Sequence, residues 1–232
     1  MSFPEHAVLA SGNRHKAREL ERLLPGWTIE PLERHDYPPE TGSTYYENAA
    51  LKARFGHAHT DGWVLAEDSG LSVAALDGRP GPYSARYAPE GAPAVAKLLG
   101  ELEGVEDRRA HYVSELVLLA PDGRELRGTG ALLGRIATEP RGSEGFGYDP
   151  IFVPNGDKRT VAELGDDWKA EHSHRANAAR ALLRGLEYQF PVLLPPPPVE
   201  LATEDDHIRH HVEPEQQDRG PAERPQRDVD VG

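Results

Sequence analysis

Four consecutive prolines, Pro195 to Pro198, divide this 232-residue chain into a part that can fold and a part with little to fold around. From Pro191 to Gly232 stand 8 of the 21 prolines, and bulky apolar residues are scarce after Leu201. Ten acids against four arginines from Glu200 onward place six of the thirteen net negative charges there. A segment of this kind buries too little apolar surface to offset the entropy of ordering its backbone. It is expected to be a disordered tail entered through stiff polyproline. Residues 1–194 are then the folding unit, long enough for a substantial core, and 195–232 are a Pro-rich acidic tail.

Within residues 1–194 the apolar runs alternate between strand and helix spacing. Ala7 to Ala10 reads as a strand that stops at Ser11-Gly12-Asn13. His15 to Leu24 carries Leu20, Leu23 and Leu24 at helical spacing and ends at Pro25-Gly26. Trp27 to Leu32 is a second strand, and Thr44 with Glu47 forms a capping box opening a helix to about His59. Trp63 to Ala66 is a third strand, ending at Glu67-Asp68-Ser69-Gly70. A helix is expected from about Pro93 to Leu102, then strands His111 to Ala120 and Glu125 to Ala137 as a hairpin across Pro-Asp-Gly. A glycine-rich loop, 142–150, leads to a strand at Ile151 to Val153, and a last helix runs from about Ser173 to Leu186. Interleaved helices and strands make the class α/β, and the hairpin makes the sheet mixed.

Composition removes several function classes. With no cysteine there is no disulfide, thiolate metal site or cysteine nucleophile. No apolar run approaches the roughly 20 residues of a membrane helix, and the first residues lack a secretory hydrophobic segment, so neither a membrane span nor a secretory leader is expected. A net charge of −13 speaks against broad binding to nucleic acid, which needs a basic surface. A soluble cytoplasmic protein is the expectation, with no nucleic acid and no membrane as partner.

Four clusters carry chemistry. Ser11-Gly12-Asn13-Arg14-His15-Lys16 lies between strand and helix, where backbone N–H groups and a lysine one turn in suit an anion. Glu40 stands before a glycine in a loop, and Asn48 and Lys52 share a face of the following helix, with Glu47 assigned to capping. Glu67 and Asp68 point to opposite sides if strand geometry persists, so one can hold a metal or activate water while its neighbour does something else. The fourth cluster joins Phe146-Gly147-Tyr148-Asp149 to Lys169 and Ser173-His174-Arg175. There an aromatic between glycines offers a platform to a flat ligand, and Ser173 is also a natural helix N-cap. Only five of the 26 basic residues are lysines, and Lys16, Lys52 and Lys169 fall in these clusters. A compact ammonium is therefore read as a requirement there.

Taken in order, SGNRHKAREL, ETGSTYYENAALKAR, AEDSGLSVAALDGRPGPYSARYA, EGFGYDPIF and KAEHSHRA resemble the inosine triphosphate pyrophosphatase family. The resemblance spans Ala10 to Ala176. It implies an α/β fold with a long curved mixed sheet, flanking helices and two lobes around a cleft, and a homodimer. It implies Mg²⁺-dependent hydrolysis of ITP, dITP or XTP to the monophosphate and pyrophosphate. On this resemblance Ser11 to Lys16 and Lys52 bind the triphosphate, and Glu40 and Asp68 bind magnesium. Asp68 also takes the proton of the attacking water, and Ser69 touches substrate. Phe146, Gly147, Tyr148 and Asp149 line the base pocket, which Lys169, His174 and Arg175 complete, with Arg175 aimed at the base O6. One departure concerns the loop: the family commonly has two glycines before the phenylalanine, and here Glu144-Gly145 stands there.

Overall fold

A computed structural model describes residues 5–34, 36–89 and 91–189, without the side chains of Arg14 and Ala85. The tail expected at 195–232 lies outside the described residues. The elements are β1 (His6–Leu9), α1 (Arg14–Leu23), β2 (Thr28–Pro31), α2 (Tyr45–His57), β3 (Trp63–Val73) and α3 (Ala92–Glu101). They continue with β4 (Arg109–Leu119), β5 (Glu125–Ile136), β6 (Phe152–Pro154), α4 (Val161–His172) and α5 (His174–Gln189). The strands form one mixed sheet in the order β2-β1-β3-β4-β5-β6. β1 is parallel to β2 and β3, and the remaining neighbours are antiparallel.

Two expectations are corrected. β3 does not end at Ala66 but continues through Glu67-Asp68-Ser69-Gly70 to Val73, because β4 pairs with it from Val64 to Val73. The ladder supplies partners that outweigh the turn character of Asp-Ser-Gly. Helix α4 was not anticipated. It is broken at Gly165, where φ is 86° and ψ 176°, and that break interrupts its apolar spacing.

The lengths of the central strands create the cleft. β1 pairs with β3 only over Ala7 to Leu9, so β3 runs on beyond the carboxyl end of its neighbour. That notch is where ligands enter open α/β sheets. One face of β3 begins with Trp63 and Leu65 in a core shared with α1 and α5, and ends with Leu71 and Val73 in a core shared with α3. Between the two cores that face carries Glu67 and Ser69, so the two-lobed arrangement appears in β3 as a polar gap between apolar ends. On the opposite face Val64 and Ala66 pack under Ala49 and Ala53 of α2.

Helix α5 reaches the sheet through glycine. A Cβ on Gly128 would strike the Ala178 carbonyl, and one on Gly130 would strike the His174 carbonyl. Without side chains there, the first turn of α5 lies directly on β5 and delivers His174 and Arg175 to the polar gap.

Candidate active site

A cavity of about 410 Å³ occupies the notch. Ser11, Gly12, Asn13 and Lys16 line one end, beside Glu40, Lys52 and Ser69. Phe146, Gly147, Tyr148 and Asp149 line it further along, with Lys169, His174 and Arg175. Asp68 stands behind Lys52 and Glu40, 4% exposed. The Arg14 side chain lies outside the described residues, and His15 faces a second cavity of about 300 Å³ that shares Phe146 and Lys169 with the first.

Around Asp68, two carboxylates share one ammonium. Lys52 Nζ lies 2.6 Å from Glu40 Oε1 and 3.0 Å from Asp68 Oδ1. The capping box of α2, Thr44 with Glu47, fixes the helix that carries Lys52. Asn48, one turn before Lys52, donates Nδ2 to Asp68 Oδ2 at 3.3 Å, and its Oδ1 accepts the Gly42 amide at 2.8 Å. Burial pushes the Asp68 carboxyl above its usual range, aided by Glu40 and opposed by Lys52 and Lys16. For Glu40 burial acts in the same sense, but Lys52, Lys16 and Arg86 together hold it below. Burial disfavours the charged Lys52, yet its two carboxylates keep it protonated beyond the ordinary range. Unequal carboxylates of this kind divide the work: one stays ionised and the other becomes the better proton acceptor.

Glu67, on the other face of β3, organises a second cluster. It is fully buried and meets Lys16 Nζ at 2.6 Å and Arg175 Nη2 at 3.0 Å, while Ser114 Oγ donates to it at 2.9 Å. Burial alone would raise its pKa, but Arg175 and Lys16 drive it well below the carboxylate range. Arg175 also donates to Ser69 Oγ at 3.1 Å and to Glu19. Burial disfavours its charge, which Glu67 and Glu19 restore. The guanidinium has five N–H groups, and four are engaged by Glu67, Ser69 and Glu19, leaving one on Nη1. Arg175 is thus a keystone of the cleft more than a donor aimed freely at a ligand.

At the aromatic end, Lys169 Nζ bridges Glu19 at 2.6 Å and Asp149 at 2.8 Å and lies 4.7 Å from the Phe146 ring centroid. His15 stacks on that ring at 5.4 Å between centroids. Asp149 Oδ2 accepts the Phe146 amide at 2.9 Å, closing a turn in which Gly145 has a φ of 75° and no room for a Cβ. His174 stacks on Tyr112 at 4.6 Å, and its buried Nδ1 has no hydrogen-bond partner in the protein. Buried polar atoms are normally hydrogen-bonded, so Nδ1 is open to a partner that the protein does not supply. Ser173 serves as the expected cap, its Oγ accepting the Ala176 amide at 3.1 Å. At the opposite end, Asn13 Oδ1 caps α1 by accepting the His15 and Lys16 amides at 3.0 and 3.2 Å. Two of the backbone donors that the sequence offered to an anion are therefore already engaged.

Glu19, Tyr112 and Ser114 were not among the expected site residues. Glu19 lies three residues after Lys16, on the same helix face, which was a usable signal. Tyr112 and Ser114 depend on strand register, which no local pattern announces.

A model of the Ham1 family matches residues 7–185 of the chain. A dITP/XTP pyrophosphatase of Deinococcus deserti is 45% identical over 179 residues, covering 75% of this chain and 86% of that protein. One of Thermus thermophilus is 46% identical over 188 residues, covering 76% of this chain and 89% of that protein. Among solved structures, the Ham1 protein of Staphylococcus aureus matches with a TM-score of 0.71 at 38% identity, over 79% of this chain and 99% of that one.

Proposed function

Because the chain belongs to the Ham1 family, we propose that it is a pyrophosphatase that hydrolyses the non-canonical purine nucleotides ITP, dITP and XTP to the monophosphate and pyrophosphate. The observation that carries this reading is the cavity itself, whose lining joins Lys16, Lys52 and Glu40, with Asp68 held on Lys52, to the Phe146 ring and the buried donors Lys169, His174 and Arg175. A nucleoside triphosphate needs both: cations and hard oxygens around its phosphates, and a flat surface for its base.

Glu40 and Asp68 suit a magnesium ion arriving with the phosphates. Their hard oxygens already share one cation, the Lys52 ammonium. Among the described residues no group of three metal-ligating side chains forms a closed site, so phosphate and water would complete the shell. When bound, the ion supplies neutralisation of the charge on the phosphoryl oxygens. Lys16 and Lys52 hold phosphate oxygens as point charges. Asp68, its proton affinity raised by burial, accepts a proton as water attacks and the bond between the α-phosphorus and the bridging oxygen breaks. Pyrophosphate leaves and the monophosphate remains.

At the base, Phe146 stacks on the purine and the His174, Lys169 and Arg175 side chains face its edge. A donor opposite O6 favours a keto base and leaves the amino group of adenine facing a donor. The unengaged N–H on Arg175 Nη1, the third N–H of Lys169 and the buried His174 Nδ1 are the groups available for that selection. Incubation with ITP, dITP, XTP, ATP and GTP, with product analysis, tests the reading. It requires IMP and pyrophosphate from ITP, loss of turnover with chelator, and little reaction with ATP; IDP and inorganic phosphate would overturn it. A homodimer belongs to the same reading and is checked by light scattering.

A further inference from the structure

We infer that Glu144 is a positioning residue that braces the Phe146 loop against the helical segment carrying Lys169, and so sets the width of the base pocket. The inference rests on the assignment of Phe146 and Lys169 to the purine. Glu144 stands where the two-glycine pattern has its first glycine, and nothing in the proposed chemistry uses it.

The need for a brace comes from the break in α4. Gly165 has non-helical angles, φ 86° and ψ 176°, so the helix restarts at Asp166. A restarting helix has amides without carbonyl partners in the preceding turn. Glu144 Oε2 accepts the Asp166 amide at 3.0 Å and places negative charge at the positive end of the restarted segment. Gly165 makes room for this: a Cβ there would lie 2.7 Å from the same Oε2.

Glu144 also donates its own amide to the Ala162 carbonyl at 3.3 Å. The same loop is held by Thr160 Oγ1, which donates to the Arg141 carbonyl at 2.8 Å, and by Arg141 Nε on Glu163 at 3.2 Å. These contacts tie residues 141–144 to the part of α4 before the break. Of the contacts made by residues 141–144, the Glu144 carboxylate reaches beyond the break, to the segment that carries Lys169; further along the loop Asp149, which accepts the Phe146 amide, holds Lys169 Nζ itself at 2.8 Å. Two residues after Glu144 in the loop comes Phe146, and three residues after Asp166 in the helix comes Lys169, whose Nζ stands 4.7 Å from the Phe146 ring. The brace is therefore a second tie beside the Asp149–Lys169 pair, closing a short loop of contacts around the stacking site, and its loss would leave the two walls joined at one point only.

The test compares Glu144→Ala and Glu144→Gln with the parent. Removing an exposed, charge-assisted hydrogen bond is expected to raise KM for ITP about three- to tenfold in Glu144→Ala, with kcat within about twofold. Inhibition by inorganic tripolyphosphate, which lacks a base, should not change. Glu144→Gln keeps an acceptor oxygen and should restore most of the KM. An unchanged KM in Glu144→Ala, or an equal shift for tripolyphosphate, overturns the inference. Amide hydrogen exchange gives a readout independent of turnover: protection at 166–169 should fall in Glu144→Ala and persist in Glu144→Gln, and unaltered exchange in both also overturns it. A parent protein inactive on ITP would instead overturn the functional assignment, and the exchange result would still decide the brace.

Discussion

Glu67 and Asp68 are adjacent in the chain and serve opposite faces of β3. Glu67 is sealed against Arg175, Lys16 and Ser114, while Asp68 meets Lys52 and Asn48 beside Glu40. Strand geometry separates neighbours in this way, so one dipeptide supplies both the electrostatic anchor of the cleft and the carboxylate we propose as its proton acceptor.

Asp68→Asn should separate chemistry from folding. Asparagine keeps the shape and can still accept from Lys52, whose charge remains paired with Glu40. Turnover of ITP should fall about 100- to 10,000-fold, the usual contribution of a positioned acid or base, while the thermal midpoint changes little. Near-parental turnover would remove Asp68 from the mechanism.

Glu67→Gln should behave in the reverse order. Glu67 is fully buried, and its loss leaves Arg175 and Lys16 short of a countercharge in a water-poor gap. Breaking one partner of a buried ion pair costs about 3–5 kcal/mol. Urea unfolding should show that loss with an unchanged m-value, and a midpoint equal to the parent would disprove the anchoring role.

The contrast between these two residues shows what the sequence could reveal. The alternation of elements, the capping box at Thr44, and the opposite directions of Glu67 and Asp68 all follow from local rules. The continuation of β3 past Ala66 does not, because it depends on ten paired positions in β4. The same holds for Ser114 and Tyr112, placed by register. For Arg175 the residue type suggested a free donor, and only three-dimensional packing through Gly130 brings it onto Glu67 and Glu19.

Gly130→Ala tests that packing directly. A Cβ at this position collides with the backbone of α5 at His174, which has no side-chain flexibility with which to yield. Overpacking of this kind costs about 1–3 kcal/mol, and here it also lifts Arg175 from its partners. Both the urea midpoint and affinity for ITP should fall; a variant losing stability but keeping full affinity would show that α5 can shift without disturbing the cleft.

Phe146→Ala removes the stacking platform while leaving the phosphate end intact. Stacking of a base on an aromatic ring contributes about 1–3 kcal/mol, or about 5- to 150-fold in affinity. KM for ITP should rise within that range, with tripolyphosphate inhibition preserved. Loss of both would mean that Phe146 supports the loop as a whole.

His174 gives the fold a defined response to acid. Burial holds its pKa well below 6.5, reinforced by Arg175, Lys169 and Lys16 and opposed by Glu67. The imidazole is therefore neutral in the native protein, whereas in the unfolded chain it takes up a proton as pH drops below about 6.5. The unfolded state then binds more protons than the native one, so stability must fall as pH decreases from about 6.5 toward the depressed native value. Above that window His174 contributes no slope. His174→Gln, which cannot titrate, should flatten the decline of the urea midpoint between about pH 6.5 and 5, relative to the parent, while lowering stability at pH 8 through the lost stack on Tyr112. An identical slope in parent and variant would mean that the imidazole is already charged in the folded protein.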